Sequence, residues 1–286
     1  MVIRSASQDH TGKAAYRYEG AALHKHWARL HQGDREPWPD EPAITRNARQ
    51  HAVFGTQVAA AGGSRSYAAG LQDAWRKFHA GNFAAAIADG TALGALGAVV
   101  ANKAAAVDSL YSKQKEAVLL QELDAAVKRG DAAVKLLPDH ANAHYTLALA
   151  LGRYSQRITI LRALAEGLAG RVRTHLERAL ILEPHHAEAQ VALGLYHAEI
   201  IHKLGALAAG LTYGASREQA IGHFKSALEA APDSPIIHLE YANGLSLLDA
   251  AGHQKQIRHL YEQAAACEPV DAMESLDAER ARRGAP

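Results

Sequence analysis

The chain has a single cysteine, Cys267, in 286 residues. An internal disulfide is therefore excluded, and so are cysteine-rich metal sites. Aromatic residues are scarce, at 6%, which argues against sheets, because strands favour aromatic and β-branched side chains. Neither sign of charge dominates. Bases number 31 and acids 30, a formal charge of +1, so net charge alone draws the chain to neither nucleic acid nor an anionic membrane. A long hydrophobic run is missing too. The least polar stretch, residues 83–101, is alanine-rich and carries Asp89 and glycines. It falls short of the about 20 strongly apolar residues of a membrane span and reads as a buried helical hairpin. Residues 1–10 offer no apolar stretch for a signal peptide. Together these absences read as a soluble cytoplasmic protein with no membrane span.

What the sequence does have is alanine and leucine, within a hydrophobic fraction of 48%. That is enough to bury a core, and the mix favours closely packed helices. A spaced pair recurs: a small residue five positions before a proline, at Ala133/Pro138, Ala179/Pro184, Ala227/Pro232 and Ala264/Pro269. An alanine lets two helices approach closely, and a proline ends the helix that runs into it. After the first three prolines a new helix begins, at Ala141, Ala187 and Pro235, the last with Ser234 as N-cap. Upstream of the later prolines run apolar stripes at steps of four and three: Val172/Leu176/Ala179, Ala220/Phe224/Ala227 and Ile257/Tyr261/Ala264. The opening helices pair a large residue with a small one, at Leu147-Ala148, Leu193-Gly194 and Tyr241-Ala242. Such a hairpin cannot bury its apolar face alone and must stack on its neighbours.

These residues resemble the tetratricopeptide repeat, most closely at ANAHYTLA (141–148) and AEAQVALG (187–194) with the second helices that follow. Gly81-Asn82-Phe83 with Ala86 is similar to the start of the second helix in an earlier, degenerate unit. The pattern departs where His144, Gln190 and His238 take the usual aromatic position and Gly130 stands for a large residue. Successive prolines lie 46, 48 and 37 residues apart, against about 34 in the consensus. The additional length lies between the two helices, as RITILRALAEGLAG and IIHKLGALAAGLTYGAS. Lengthened hairpins of this kind resemble two relatives, the T component of TRAP-type transporters and the regulator-of-microtubule-dynamics proteins. The first is typically a periplasmic lipoprotein, and this sequence has neither that leader nor the lipidated cysteine. The resemblance implies an all-α, right-handed solenoid of about four to five hairpins. It divides the chain into 1–65, an N-terminal helix and proline-containing linker; 66–270, the solenoid; and 271–286, a capping helix and tail. HKHWARLHQ (24–32) is the N-terminal helix, Pro37, Pro39 and Pro42 mark the linker, and the last helix, with Asp271 and Glu274 as its cap, reads as charged nearly all round.

Several chemistries argue themselves down. The histidine pairs His24/His26, His140/His144, His185/His186 and His197/His202 lack an HExxH motif or a supporting carboxylate and read as solvated turn residues rather than a metal site. Gly-x-Ser-x-Gly is absent, and Gly244-Leu245-Ser246 lies within a repeat helix. Cys267 sits at a helix C-terminus, where the dipole raises a thiol pKa. Gly90 to Gly94 lacks the strand and lysine of a phosphate loop. Acids dilute the basic cluster Arg153/Arg157/Arg162 and Arg171/Arg173, which argues against nucleic acid. No enzyme and no cofactor are expected.

In the resembled family the first helices line a concave groove through their second, fifth, ninth and thirteenth positions. Carried over, that implies Asn142, Tyr145, Leu149 and Arg153, then Glu188, Val191, Leu195 and Glu199, then Leu239 and Asn243, as a surface for a protein segment or peptide. The two-carboxylate clamp of chaperone-binding relatives is not reproduced, since Asn142 and Asn243 lack matching lysines. A scaffold or adaptor is expected. The alternative is a small-ligand carrier with an apolar pocket formed by the lengthened hairpins, and self-association stays open.

Overall fold

Alanine and leucine set the secondary structure: among the described residues every regular element is a helix. The structure is a computed structural model that describes residues 16–284. Residues 1–10, read above for a signal peptide, lie outside the described residues, as do 285 and 286 of the tail. Three helices come first, α1 (Ala22–Leu30), α2 (Glu41–Gln50) and α3 (Ala52–Ala60). Then come α4 (Ser64–His79) with α5 (Phe83–Leu93), and α6 (Gly97–Tyr111) with α7 (Glu116–Leu136). The third hairpin is α8 (Ala141–Ser155) and α10 (Leu168–Leu182), with a short α9 (Ile160–Ala165) between them. The fourth is α11 (Ala187–Leu204) and α13 (Arg217–Ala230), around α12 (Ala206–Tyr213). α14 (Pro235–Asp249) pairs with α15 (Gln254–Ala266), and α16 (Ala272–Gly284) is the last described helix. Five hairpins therefore stack as an α-solenoid, each packing on its own partner and on the next.

The repeat residues act as their chemistry requires. Ala179, Ala227 and Ala264 are fully buried where paired helices touch. Phe224 is wedged between glycines of the two neighbouring first helices. A Cβ on Gly194 would stand 2.6 Å from its ring, and one on Gly244 2.1 Å, so only glycine fits at either place. Gly130, where the repeat prefers a large residue, makes room for Leu147, whose Cδ1 would lie 2.8 Å from an added Cβ. The polar departures share one role. His144 Nε2 donates to Pro138 O at 3.0 Å, Gln190 Nε2 to Pro184 O at 3.5 Å, and His238 Nε2 to Pro232 O at 2.6 Å. Each ties the new helix back to the proline turn that precedes it.

Both ends differ from the sequence expectation. Residues 41–60, expected as linker, form α2 and α3, and Ile44, Phe54 and Val58 enter one core with Trp27, Trp75 and Phe78. The three prolines do not act alike. Pro42 sits in the first turn of α2, with Asp40 accepting a hydrogen bond from Ala43 N at 2.7 Å, and only 35–40 lacks regular structure. Nor is α16 charged all round toward solvent. Its capping box forms, with Glu274 N donating to Asp271 Oδ1 at 2.8 Å and Val270 N to Glu274 Oε2 at 3.0 Å. Yet Glu274 and Asp277 are buried together with Ala272, Ala278 and Ala281. The helix lies against α14, α15 and α4. Tyr18 Oη donates to Val270 O at 2.5 Å, Arg29 grips Glu274 with two bonds of 2.7 and 3.1 Å, and His79 Nδ1 lies 2.8 Å from Asp271 Oδ2. The first and last described elements thus meet.

Candidate functional site

The concave face is built on a buried charge cluster. Lys103 comes from α6, a helix with twelve of fifteen residues buried. Its ammonium donates to Asp34 Oδ2 at 2.5 Å and Glu188 Oε1 at 3.0 Å. Tyr145 Oη donates to Glu188 Oε2 at 2.9 Å, and Asp34 Oδ1 lies 2.8 Å from His31 Nδ1. Burial opposes the charge on Lys103, but the two carboxylates outweigh it and raise its pKa. Burial likewise works against the Asp34 carboxylate, yet Lys103 and His31 hold it well below the ordinary value. Glu188 moves the other way, raised by burial against the pull of Lys103.

Asp34 belongs to a loop, 31–36, that occupies this half of the groove. Asn142 Nδ2 donates to Asp34 O at 2.8 Å and to Glu36 Oε2 at 2.7 Å, while Asn142 Oδ1 accepts from His186 Nε2 at 2.9 Å. Glu188 N donates to Gly33 O at 2.9 Å. Gly33 is needed for this approach, since a Cβ there would come 2.8 Å from Glu188 Oε1. Burial, then the charge of Asp34, push Glu36 up to about 8. Burial above all takes His31, His140 and His186 down to about 4. His140 and His186 are therefore not solvated turn residues. Their Nδ1 atoms accept from Ala143 N (3.3 Å) and Ala189 N (3.0 Å) and cap α8 and α11.

Past Tyr145 the groove is open. A cavity of about 410 Å³ lies among α8, α10 and α11, walled by Leu149, Leu168, Val172 and Leu195. Seven of the ten groove positions line it: Tyr145, Leu149, Arg153, Glu188, Val191, Leu195 and Glu199. The other three are used within the chain. Asn142 clamps the 31–36 loop. Leu239 is packed with Ala264 and Ala281, and Asn243 donates to Glu240 Oε2 at 3.0 Å and accepts from Tyr261 Oη at 2.8 Å. Ile236 and Glu240 also face the cavity and were missed. Ile236 holds the second position of α14, the offset that selected Asn142 and Glu188. Tyr196, Leu164 and Tyr213 carried no repeat signal. Among the described residues, Arg153 Nε and Tyr196 Oη are buried beside this cavity without a hydrogen-bond partner.

Other candidate chemistries are dispersed. Among the described residues no group of three His, Cys, Asp or Glu side chains is placed to hold a metal ion. The arginine cluster is neutralised pairwise, Arg157 by Glu116, Arg162 by Glu166, Arg171 by Asp131 and Arg173 by Glu177. Cys267 Sγ contacts Gln263 O at 3.3 Å, and burial followed by Glu274 raises its pKa, away from a reactive thiolate. No described helix is long and apolar enough to cross a membrane.

The family model for regulator of microtubule dynamics protein 1-3 matches residues 98–281, from the first turn of α6 into α16. The chain belongs to this family. In this regulator-of-microtubule-dynamics chain the matched span holds Lys103, Asn142, Glu188 and the whole cavity wall, whereas the 31–36 loop lies outside it. No curated protein matches the sequence. Among solved structures, a thermophilic TPR protein of Thermus thermophilus is similar, with a TM-score of 0.54 at 16% identity over 76% of this chain and 99% of that one. That likeness is one of fold, and a TPR-like fold serves in general as a protein-interaction scaffold.

Proposed function

We propose that this family member is a non-enzymatic adaptor that receives an apolar segment of a partner protein in the open half of its groove, with the cytoplasm as its compartment on the strength of its lone cysteine. The observation that carries the reading is the division of the concave face. One half is filled by the chain's own 31–36 loop around Lys103. The other leaves half-buried Leu149, Val172 and Leu195 around about 410 Å³ of space. Apolar walls with Arg153, Glu199 and Glu240 at intervals suit the buried face of a helix or an extended peptide, anchored by a few side chains and oriented by charge. Affinity capture with Leu149→Arg plus Leu195→Arg tests this. Proteins recovered by the wild type should be lost from the variant and kept by a control bearing Lys128→Glu on the outer face. Equal recovery by both variants would remove the cavity as the contact surface.

A second reading rests on its own observation. Arg153 Nε and Tyr196 Oη are buried donors with nothing to bond, and such groups are costly unless a ligand or water satisfies them. A small amphipathic molecule, with an acceptor head on these donors and an apolar body against Leu149 and Leu195, would do so. Native mass spectrometry of protein purified from its host separates the two: a retained small-molecule mass favours the carrier, and an unadducted chain favours the adaptor.

A further inference from the structure

Six of the nine exposed large aliphatic side chains among the described residues gather at one edge of the solenoid. Ile160, Leu161 and Leu164 of α9 are 71%, 80% and 54% exposed, and Leu204, Leu207 and Leu211 around α12 are 45%, 79% and 82% exposed. Both short helices interrupt the turn from a first helix to a second, and antiparallel stacking sends all such turns to the same side. Arg173 of α10 donates to Tyr213 O at 2.7 Å, which fixes the second knuckle beside the hairpin that carries the first. Residues 204–212 contain no charged side chain, and only Ala209 among them is buried. A water-facing helix normally carries a polar face, and α12 has none. Apolar surface left this bare marks a contact site.

Charge selects what covers it. The first-to-second turns of three successive hairpins, 112–118, 156–167 and 202–216, contain Lys113, Lys115, Arg157, Arg162 and Lys203, of which Arg157, Arg162 and Lys203 pair with Glu116, Glu166 and Glu199. Lys113 and Lys115 are left as the excess of base along this edge, in a chain whose whole charge is +1. A second copy docked about a two-fold axis would set these bases against their own counterparts. An anionic lipid interface instead accepts both features, since aliphatic tips sink to the boundary of headgroups and acyl chains while bases stay among the headgroups. We propose that the α9–α12 edge is a peripheral docking surface for anionic lipid membranes. Ile160, Leu164 and Leu204 also line the cavity, whereas Leu161, Leu207 and Leu211 do not, and the assignment is tested on those three.

Vesicle flotation of the full chain tests it, with vesicles of phosphatidylcholine plus phosphatidylserine and vesicles of phosphatidylcholine alone. The wild type should float with the anionic vesicles, less with the neutral ones, and less again in high salt. Leu161→Asp with Leu207→Asp and Leu211→Asp should cut the floated fraction by at least about tenfold. Its melting temperature should stay at the wild-type value, because these side chains already face water. Lys113→Glu with Lys115→Glu should weaken flotation on the anionic vesicles only. The proposal is overturned if the wild type stays at the bottom of the gradient with both vesicles, or if the triple variant floats equally well. It is also overturned if light scattering shows a wild-type dimer that the triple variant turns into a monomer, since a second copy would then cover the edge.

Discussion

Lys103 is the only charged residue between Asp89 and Asp108, set in a run of alanine and valine, and the structure pairs it with two buried carboxylates. A buried pair of this kind is weak evidence for net stability, because desolvation offsets much of the attraction. Removing one partner is nevertheless severe, because the other is left buried and alone. Lys103→Met should therefore cost about 3–5 kcal/mol, measured by denaturant unfolding with an unchanged m-value. Adding Asp34→Asn should recover part of that loss, since the pair shares one bond network. If Lys103→Met proved neutral, the cluster would not hold the 31–36 loop in place. Gly33 and Gly244 belong to the same scale. Each is fixed by one close approach, to Glu188 in the first case and to Phe224 in the second, that an added Cβ would force to shift.

Among the helices, burial is uneven enough to rank them. α9 has no buried residue and α12 has only Ala209, while α6 is sheathed by its neighbours. Amide exchange should follow that order. In hydrogen–deuterium exchange mass spectrometry α9 and α12 should label first and α6 only with global unfolding, and equal protection of α12 and α6 would contradict the packing described here. The stacked hairpins were legible in the sequence because alanine and proline act locally: Ala179/Pro184 and Ala227/Pro232 mark a close contact and a helix end without reference to anything distant. The α9 and α12 inserts were legible as apolar but not as exposed, since aliphatic composition ordinarily argues burial. The 31–36 loop was not legible at all. The sequence places His31 and Gln32 at the end of a helix, and the burial of HQGDRE depends on Lys103 and Asn142, partners 69 and 108 residues away. The lone lysine in α6 was the available signal. Asn142 is drawn to the loop for that reason, while Tyr145, Leu149, Arg153 and Leu195 lie together along the cavity because they follow a local helical offset.

At the scale of the whole molecule the buried ionisable groups set a pH optimum. His31, His140, His186 and His197 have folded pKa values of about 4 against 6.5 when free. The unfolded chain takes up their protons first, so stability falls as pH drops from 6.5 toward 4. Glu36 and Asp277 are raised by burial to about 8 and about 7. The folded chain keeps those protons while the unfolded chain releases them, so stability falls as pH rises through that range. Four histidines outweigh two carboxyls below pH 6, and the carboxyls prevail above pH 7. The melting temperature should peak at about pH 6.5 to 7, and Glu36→Gln should flatten the alkaline side. A profile that rises steadily to pH 9 would refute this balance. One further property follows from the meeting of the two ends. A linear array of repeats frays from its tips, each unit answering only to its neighbours. Here Tyr18 and Val270, 252 residues apart, share a hydrogen bond, and Arg29 and His79 hold the start of α16. The rod is thereby latched into a loop, and the two described ends should melt together rather than fray apart. During synthesis that latch closes only after α16 has emerged, so a ribosome-bound chain still lacking α16 carries His79 and Tyr111 with their eventual mates unmade.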